Sequence, residues 1–490
     1  MNAKRTASLD GRRAQYRLGH GHRKNSAPFF ADRLKTRVRM GFLTIFSVLL
    51  LSGCGIMSWF GGEEDPRPPT ELKDLKPEIT VTILWSREIG VGTDGRRLNL
   101  IPALRGGRLY VADAEGRILA LDAATGKVLW ERETGLPFSG GPEVDAEHII
   151  LGSSDGDLVA RSARDGAERW HARLGSEVLS VPRIAGSSVL VHTLDDSVYA
   201  FDLGSGNRLW KYSYSAPVLT LRGSSMPAIT DDSVIVGISG GQLINLELQS
   251  GVPRWETIVT PPHGRSELAR IADIDADPII VADTIYVATY NGDLAAVDLT
   301  TGSVRWRRQL SAHAGLAASA GILYITDSDD LIWAATAAGT DIWKQEALKY
   351  RRLTAPAVLG NLVAVGDMEG YVHWLDRRDG RLVARVEVAD GPITGRPQVA
   401  GGKLYVYGND GTLAALSAGS PPPPPPKPRK PKPTPNPDDT DTPTARAVDA
   451  PYPAGSPPAS SPKPKPTPNP GGTGTSRAAD VPRQDKQVRE

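Results

Sequence analysis

Asp122-Ala123-Ala124-Thr125-Gly126-Lys127-Val128-Leu129-Trp130 is the clearest copy of a nine-residue phrase, Asp-x-x-Thr-Gly-x-x-x-Trp, that recurs through the chain. Marked by the last position of each phrase, the repeats fall at 85, 130, 170, 210, 255, 306, 343 and 384. Trp85 has no phrase before it, and Ala384 stands where the other marks have Trp. Eight units with a period of roughly 40 residues indicate a repeat fold rather than a series of separate domains.

Each repeat has the pattern of short antiparallel strands. An apolar strand such as residues 109–111 is followed by a turn and by a second apolar strand such as residues 119–121. Asn291-Gly292, at one of these turns, is a strong hairpin signal. The pattern predicts an all-β fold, an eight-bladed β-propeller, because a four-stranded blade has two apolar faces that only neighbouring blades can cover.

The first and last repeats complement each other. Trp85 begins the series without a complete repeat before it, and the last repeat ends near Ser417 without a following Trp. The strand at Trp85 is therefore expected to pair with the strands between Pro397 and Ser417, which closes the ring and removes two exposed sheet edges. The propeller is predicted to span residues 80–419.

Each residue type in the phrase has a structural role. Gly adopts a left-handed turn conformation without steric cost, and the Asp carboxylate can cap the same turn. The Trp is expected to wedge between blades. The alternative is a ring of Trp side chains that stacks on a ligand, but a side chain repeated at one place in every blade is typical of core packing.

Cys54, the only cysteine, closes a bacterial export signal. Basic residues precede an apolar run from Phe42 to Leu51 that is too short to cross a bilayer, and small residues follow it. Leu51-Ser52-Gly53-Cys54 resembles the lipobox of bacterial lipoproteins. The resemblance implies a leader and signal peptide at residues 1–53, covalent lipid on Cys54 and a flexible tether at residues 54–79. A buried core cysteine after a chance apolar run is the alternative.

The residue after the cysteine indicates which membrane the lipid enters. Gly55 stands where lipoproteins held at the inner membrane carry Asp, so the resemblance implies an anchor in the outer membrane, with the protein facing the periplasm. Two or more acyl chains hold a protein stably on a membrane, whereas one chain binds reversibly.

The net charge of +1 conceals an acidic body, since residues 40–419 carry a net charge of −12 and both ends are basic. An acidic body without a basic stripe argues against nucleic acid as a partner. The eight histidines show no metal-ligand spacing. Asp273-x-Asp275-x-Asp277 does not fit a calcium loop, because Pro278 and Thr284 replace the required Gly and Glu, so neither a metal nor another cofactor is expected.

Two successive connections between repeats are longer than those that follow Trp130, Trp170 and Trp343. From the Trp of one repeat to the proline that opens the next there are 12 residues after Trp130 and Trp170, but 17 after Trp210 and 23 after Trp255. Because they occupy the same position in neighbouring blades, the two long loops are expected to emerge side by side on one face. Extended loops on a rigid scaffold are where binding residues collect.

The phrase resembles the pyrroloquinoline-quinone-type propeller repeat, and residues 42–417 resemble the family of the lipoprotein B component of the outer-membrane β-barrel assembly machinery. The matching segments are Leu219-Thr220-Leu221-Arg222-Gly223, Ile271-Ala272-Asp273-Ile274-Asp275-Ala276-Asp277-Pro278, Tyr290-Asn291-Gly292 and Gly366-Asp367-Met368-Glu369-Gly370-Tyr371. The resemblance implies a non-catalytic scaffold that assists folding and insertion of β-barrel proteins by docking on a POTRA domain of the barrel-insertion protein. It leaves open a direct contact with unfolded outer-membrane proteins.

In that family the partner-binding positions correspond here to Leu219, Leu221, Arg222, Asp273 and Asp275. Exposed leucines beside an arginine make a small hot spot, and the carboxylates are expected to add a charged rim that improves specificity and association rate. The alternative is structural: the leucines alternate inward on a strand while the aspartates cap a turn.

Two other functions share this fold class. Quinone-dependent dehydrogenases build the same repeat around a cofactor, but they typically stack it on a vicinal disulfide, which a chain with one cysteine cannot form. No Ser-His-Asp arrangement or Gly-rich phosphate loop stands out in the sequence. The chain is therefore predicted not to be an enzyme, and a general envelope scaffold unrelated to barrel assembly is the second alternative.

Residues 420–490 form a tail that holds 22 of the 40 prolines and almost no large apolar residues. The segment from Lys430 to Pro437 recurs unchanged from Lys463 to Pro470. This composition predicts a disordered, extended tail of polyproline II type. We hypothesise a stiff basic arm that contacts anionic cell-wall polymer or a second protein; a passive spacer is the alternative.

A cell-wall pull-down tests the basic arm. The full chain is expected to bind purified cell wall more strongly than a chain that ends at residue 419, because the tail carries a net positive charge. Equal binding of the two chains would support the passive spacer.

Overall fold

The structure, a computed structural model, describes residues 67–215, 219–223, 225–261, 263–266 and 270–419. The predicted export signal, Cys54 and the Pro-rich tail lie outside these residues. The described part contains 33 β strands arranged in eight sheets, which confirms the predicted all-β, eight-bladed β-propeller. In the same residues, no helix is both long enough and apolar enough to span a membrane.

Each sheet is one blade, and its consecutive strands pair antiparallel in chain order. Blade 1 contains β3 (Ala103–Arg105), β4 (Arg108–Ala112), β5 (Arg117–Asp122) and β6 (Val128–Glu133). Blade 2 contains β7 (Phe138–Val144), β8 (His148–Ser153), β9 (Asp157–Ser162) and β10 (Glu168–Arg173). Blade 3 contains β11 (Arg183–Ala185), β12 (Ser188–His192), β13 (Ser197–Asp202) and β14 (Arg208–Ser213). Blade 4 contains β15 (Ala228–Ile229), β16 (Ser233–Ile238), β17 (Gln242–Glu247) and β18 (Pro253–Ile258). Blade 5 contains β19 (Ile279–Val281), β20 (Thr284–Ala288), β21 (Asp293–Asp298) and β22 (Val304–Gln309).

Blades 6 to 8 complete the ring. Blade 6 contains β23 (Gly315–Ser319), β24 (Ile322–Thr326), β25 (Ile332–Thr336) and β26 (Asp341–Gln345). Blade 7 contains β27 (Ala357–Leu359), β28 (Leu362–Gly366), β29 (Tyr371–Asp376) and β30 (Leu382–Glu387). Blade 8 contains β31 (Gln398–Ala400), β32 (Lys403–Tyr407), β33 (Thr412–Gly419) and β1 (Thr80–Glu88). The short strand β2 (Asn99–Leu100) pairs in parallel with β7 of blade 2. First strands of neighbouring blades contact each other, for example β19 with β23 and β27 with β31, so the first strands line the axis.

The N-terminal strand closes the ring, as the sequence predicts. β1 pairs antiparallel with β33 along its whole length, from Thr80 opposite Gly419 to Glu88 opposite Thr412. Blade 8 therefore combines the two ends of the described chain in one sheet, and its outer strand is supplied from the N-terminal side. Closure of this kind removes the edges at which an open ring would expose unpaired backbone groups.

The Trp of each phrase packs on the next blade, which confirms its predicted role as a wedge. The indole of Trp85 lies over Gly126, where an added Cβ would come within 2.6 Å of the ring. Its Nε1 donates to the carbonyl of Ala123 at 3.3 Å. The same two contacts recur for Trp130, Trp170, Trp210, Trp255, Trp306 and Trp343, with indole hydrogen bonds of 2.7–3.4 Å.

The glycine and the aspartate of the phrase shape the turn that receives this Trp. Gly126 has φ of +68°, a conformation that side chains rarely adopt, so it satisfies both the turn and the close approach of the indole. Asp122 accepts hydrogen bonds from the amide of Thr125 at 2.9 Å and from its hydroxyl at 2.6 Å. These bonds hold the pKa of the Asp122 carboxyl below its usual value.

A bulge in the outer strand aims each Trp. In blade 1 the pairing of β5 with β6 skips one residue, so that Ala120 faces Trp130 while Leu121 faces Val128. A register shift occurs at the equivalent position in the outer strand of every blade. An extra residue bends and twists a strand locally, and here it turns the indole toward the next blade.

The hydrophobic core lies between blades rather than within one layer. Leu190 and Trp210 of blade 3 pack with Val234 and Ile244 of blade 4, and similar buried clusters join each neighbouring pair around the ring. Burying such a side chain contributes about 1.5–3 kcal/mol. The blades therefore stabilise one another instead of folding separately.

Blade 7, which has Ala384 at the Trp position, packs against blade 8, which lacks the nine-residue phrase. Ala384 of blade 7 is buried toward blade 8, where β33 ends instead of turning into an outer strand. Trp374 of β29, which is fully buried, packs there with Ile79 and Val81 from the N-terminal side. Segments from both ends of the described chain thus replace the usual contact between Trp and Gly.

Part of the predicted tether lies against the propeller. Residues 67–79 run along the outer edge of blade 7, where the amide of Glu78 donates to the carbonyl of Val383 at 2.8 Å. The carbonyl of Thr70 accepts from the guanidinium of Arg351, a residue that is only 2% exposed. We name residues 67–79 the strap.

Deletion of residues 80–88 tests the closure. The variant loses the pairing of β1 with β33 and the contact of Trp85, so we expect its thermal transition, followed by circular dichroism, to become broad and non-cooperative. Thr82→Ala, an exposed substitution in the same strand, is expected to unfold like the wild type. An unchanged transition in the deletion variant would contradict the closure.

Candidate docking face

The two long connections between blades lie beside each other. The first joins β14 to β15 and contains Leu221 and Met226; the second joins β18 to β19 and contains Asp273 and Asp277. The amide of Leu221 donates to Asp273 Oδ2 at 2.6 Å, and the amide of Met226 donates to Asp277 Oδ1 at 2.8 Å. This contact between the loops confirms the expectation that they emerge side by side.

Residues 219–223 of the first connection form what we call the docking loop. Leu219 is 49% exposed, which is unusual for a large apolar side chain, whereas Leu221 is half-buried. The Arg222 side chain is 45% exposed. The inward orientation considered for both leucines therefore does not hold for Leu219, because only Leu221 turns partly toward the propeller.

Asp273 lies beneath the docking loop and is only 3% exposed. Besides Leu221, it accepts a hydrogen bond from the amide of Gly240 at 3.0 Å. Burial raises the pKa of its carboxyl, although the two amide donors oppose that shift. The expected charged rim is thus wrong for Asp273, because the carboxylate is used to hold the backbone and is withdrawn from the surface.

Asp275 lies against Gly223, the last residue of the docking loop. A Cβ added at Gly223 would collide with the Asp275 carboxyl group, so only glycine lets the loop approach this closely. Burial, together with the charges of Asp273 and Asp196, raises the pKa of Asp275 to about 7. The side chain is partly buried, and it too lies under the loop instead of forming a rim around it.

Residues outside the two predicted segments complete the site. The charge of Asp196 in blade 3 helps to raise the pKa of both Asp273 and Asp275, and the Arg97 guanidinium opposes the shift at Asp275. His192 Nδ1 lies 3.0 Å from the carbonyl of Ser225, just beyond the docking loop. Nothing in the local sequence around Asp196 indicates that its turn lies near a loop from another blade.

Arg222 connects the docking loop to two further loops. Its Nη1 donates to the carbonyl of Arg97 at 2.8 Å, and its Nη2 donates to Glu177 Oε1 at 2.6 Å. Arg97 lies between β1 and β2, and Glu177 lies between β10 and β11. Neither residue was predicted, because both lie far from Arg222 in sequence and nothing in their own segments marks them as its partners.

The aspartates of the second connection do not form a metal site. Asp273 accepts from the amides of Leu221 and Gly240, and Asp277 accepts from the amide of Met226, so both carboxylates bind backbone amides. Among the residues that the structure describes, no group of three or more His, Cys, Asp or Glu side chains could hold a metal ion. The arrangement holds the loops in place.

The raised pKa of Asp275 predicts a pH dependence of stability. Between about pH 4, where an aspartate titrates in an unfolded chain, and about pH 7, the folded state holds a proton that the unfolded state has lost. The free energy of unfolding therefore falls as pH rises through this window. Asp275→Asn removes the buried charge and is expected to raise the free energy of unfolding at pH 8 by about 1–3 kcal/mol.

Urea unfolding at pH 5 and pH 8 measures this effect. Asp155→Asn, which changes an exposed carboxylate on the turn between β8 and β9 of blade 2, is the control and should unfold like the wild type at both pH values. An Asp275→Asn variant that gains no stability at pH 8 would contradict the assignment of a buried, protonated carboxyl group.

A family model described as outer membrane protein assembly factor BamB matches residues 78–168, 133–345 and 334–420. The curated BamB of Pseudomonas aeruginosa is 46% identical over 371 residues, which cover 75% of this chain and 97% of the relative. BamB of Legionella pneumophila is 42% identical over 383 residues, with coverage of 78% and 100%. BamB of Escherichia coli is 34% identical over 385 residues, with coverage of 76% and 97%.

Solved structures give the same result for the fold. The crystal structure of BamB from Moraxella catarrhalis has a TM-score of 0.64 and 28% identity, covering 69% of this chain and all of that chain. A europium-containing methanol dehydrogenase reaches a TM-score of 0.58 at 15% identity, with coverage of 69% and 93%, and at that identity the likeness shows the fold alone. Matched over most of its length by the family model and by these relatives, the chain belongs to the family of the outer membrane protein assembly factor BamB.

Proposed function

We propose that the chain is a non-catalytic scaffold of the outer-membrane β-barrel assembly machinery. It docks through the docking loop on a POTRA domain of the barrel-insertion protein and so assists the folding and insertion of β-barrel proteins. Membership of the BamB family supports the role in assembly. The main support for the docking surface is the half-exposed side chain of Leu219. It lies on a loop in which the amide of Leu221 donates to the buried carboxylate of Asp273.

The chemistry of the loop suits recognition of a protein surface. A preordered loop loses little conformational entropy on binding, so more of the contact energy of its side chains is available for affinity. Leu219 offers apolar area and Arg222 offers a planar set of hydrogen-bond donors, a pairing that is common in small hot spots. Asp273 and Asp275 contribute indirectly, by fixing the position of the loop.

Three alanine substitutions test the docking surface. An affinity-tagged Leu219→Ala, Leu221→Ala, Arg222→Ala variant is expected to lose co-purification of the barrel-insertion protein from detergent-solubilised envelopes by more than about tenfold, since hot-spot truncations each cost about 1–2 kcal/mol or more. A matched control, Leu129→Ala, Leu209→Ala, Arg208→Ala, changes two equally exposed leucines and an arginine on outer strands and should co-purify like the wild type.

Circular dichroism of both variants must first show intact folding. If the wild type retains no barrel-insertion protein, and quinone added to the pure protein gives calcium-dependent dye reduction, the scaffold function is wrong and the dehydrogenase alternative is correct. Equal co-purification by both variants would leave the scaffold function standing and move the docking surface elsewhere.

We also propose that lipid on Cys54 anchors the protein in the outer membrane, facing the periplasm. The lipobox resemblance supports the modification, and the BamB family supports the compartment. Cys54→Ala removes the modified thiol, so the variant is expected to leave the outer-membrane fraction when envelopes are separated on a sucrose gradient. A variant that stays entirely in that fraction would show that protein contacts alone hold it there.

A further inference from the structure

The guanidinium of Arg222 is fixed from two sides, although half of the side chain faces solvent. The hydrogen bond to the Arg97 carbonyl crosses from the connection between β14 and β15 to the connection between β1 and β2. The bond to Glu177 reaches the connection between β10 and β11, and it is also an ion pair at 2.6 Å. One side chain thereby joins three loops that are separated by 45 and 125 residues in sequence.

Glu177 is held firmly enough to position another residue. Its side chain is only 13% exposed, and its own carbonyl accepts from the amide of Leu194 at 3.0 Å. The next residue, Val178, donates its amide to the carbonyl of Ser153 at 3.1 Å and accepts from the hydroxyl of Ser139 at 2.8 Å. The backbone at Glu177 and directly after it is therefore tied to blades 2 and 3.

The carbonyl of Arg97 is equally well placed. Directly after it, β2 pairs with β7 of blade 2, and the amide of Ile101 donates to the carbonyl of Gly141 at 2.9 Å. Directly before it, the guanidinium of Arg96 donates to the carbonyl of Ala114 at 3.1 Å. The acceptor that meets Arg222 Nη1 thus lies on a segment fixed to blades 1 and 2.

These contacts occupy only part of the guanidinium. Arginine has five N–H donors, and the two bonds use one donor on each terminal nitrogen, which leaves three for other acceptors. A free arginine side chain has a large rotamer entropy that binding must remove, whereas one held at two points has already lost most of it. The bonds to Glu177 and to the Arg97 carbonyl therefore hold the Arg222 side chain in place and leave three of its N–H donors for a partner.

We propose that Glu177 is a positioning residue of the docking surface: together with the Arg97 carbonyl, it holds the Arg222 guanidinium so that its remaining donors face acceptors on the docked partner. This inference rests on the proposed function and extends it, because the surface then includes the connections at residues 89–98 and 174–182 as well as the docking loop. Glu177 acts through Arg222 and does not itself touch the partner.

A double-mutant cycle tests the proposal. Full-length, lipidated chains purified in detergent are titrated with the soluble periplasmic region of the barrel-insertion protein from the same organism. Glu177→Gln keeps the shape and one acceptor but removes the charge, and we expect it to weaken binding by about two- to fivefold, the range that a partly exposed ion pair contributes. Glu115→Gln, which changes an exposed carboxylate on the turn between β4 and β5 of blade 1, should bind like the wild type.

The decisive comparison is made in an Arg222→Ala chain. If Glu177 acts through Arg222, adding Glu177→Gln to that chain causes no further loss of affinity, because interacting residues are not additive. A second loss of the same size would overturn the proposal and show that Glu177 contacts the partner by itself. Wild-type affinity of the single Glu177→Gln variant would overturn it as well.

Hydrogen exchange in the absence of partner separates this inference from the proposed function. Glu177→Gln is expected to raise the exchange rate of backbone amides in residues 221–223, while the thermal transition of the propeller stays unchanged. An unchanged exchange rate would contradict the proposal that Glu177 orders the loop through Arg222, even if the affinity for the partner falls. If the wild type does not bind the periplasmic region at all, the proposed function fails, and faster exchange in the variant would still establish that Glu177 orders the loop.

Discussion

The propeller depends on one contact that is made again at almost every blade boundary: an indole ring lying on a glycine of the next blade. A Cβ at Gly126 would lie 2.6 Å from the Trp85 ring, so no other residue fits beneath it. The indole N–H also donates to a backbone carbonyl of that blade, which fixes the direction of approach. Loss of a buried aromatic side chain costs about 3–5 kcal/mol, so the buried Trp170, Trp210 and Trp343 each contribute strongly to the stability of their boundaries.

This contact also accounts for the places where the ring departs from its own repeat. Blade 8 takes its outer strand from the N-terminal side and has no turn to receive an indole, and blade 7 correspondingly has Ala384 where a Trp would stand. The boundary is filled by Trp374 and by residues that precede β1. The strap extends this arrangement along blade 7, with the guanidinium of Arg351 buried against its backbone.

A rigid ring gives the loops at one end fixed relative positions, and the proposed docking face is built on that rigidity. Two aspartates that the sequence suggests for the surface are instead held beneath it, where Asp273 binds the backbone of the docking loop and Asp275 supports Gly223. Carboxylates withdrawn from water cost free energy, and the raised pKa of Asp275 reflects that cost. The gain is a loop that presents Leu219 and Arg222 in one arrangement.

The sequence by itself determined the fold class, the number of blades, the closure by β1 and the identity of the two long connections. It could do so because a repeated phrase reports the same local geometry many times, and because the position of a connection in the order of repeats gives its place on the ring. The roles of Gly126 and Trp130 were predictable for the same reason, since each follows from a conformation or a packing position that the repeat makes unambiguous.

Only the tertiary structure decided which side chains of the docking face are exposed and which lie beneath it. Asp273 and Arg222 are equally polar in the sequence, yet one is 3% exposed and the other has a side chain that is 45% exposed. Glu177 and Arg97 could not be found at all, because their contacts with Arg222 join loops from different blades. Such contacts depend on how the ring brings distant segments together in space, and no local pattern of residues encodes that distance.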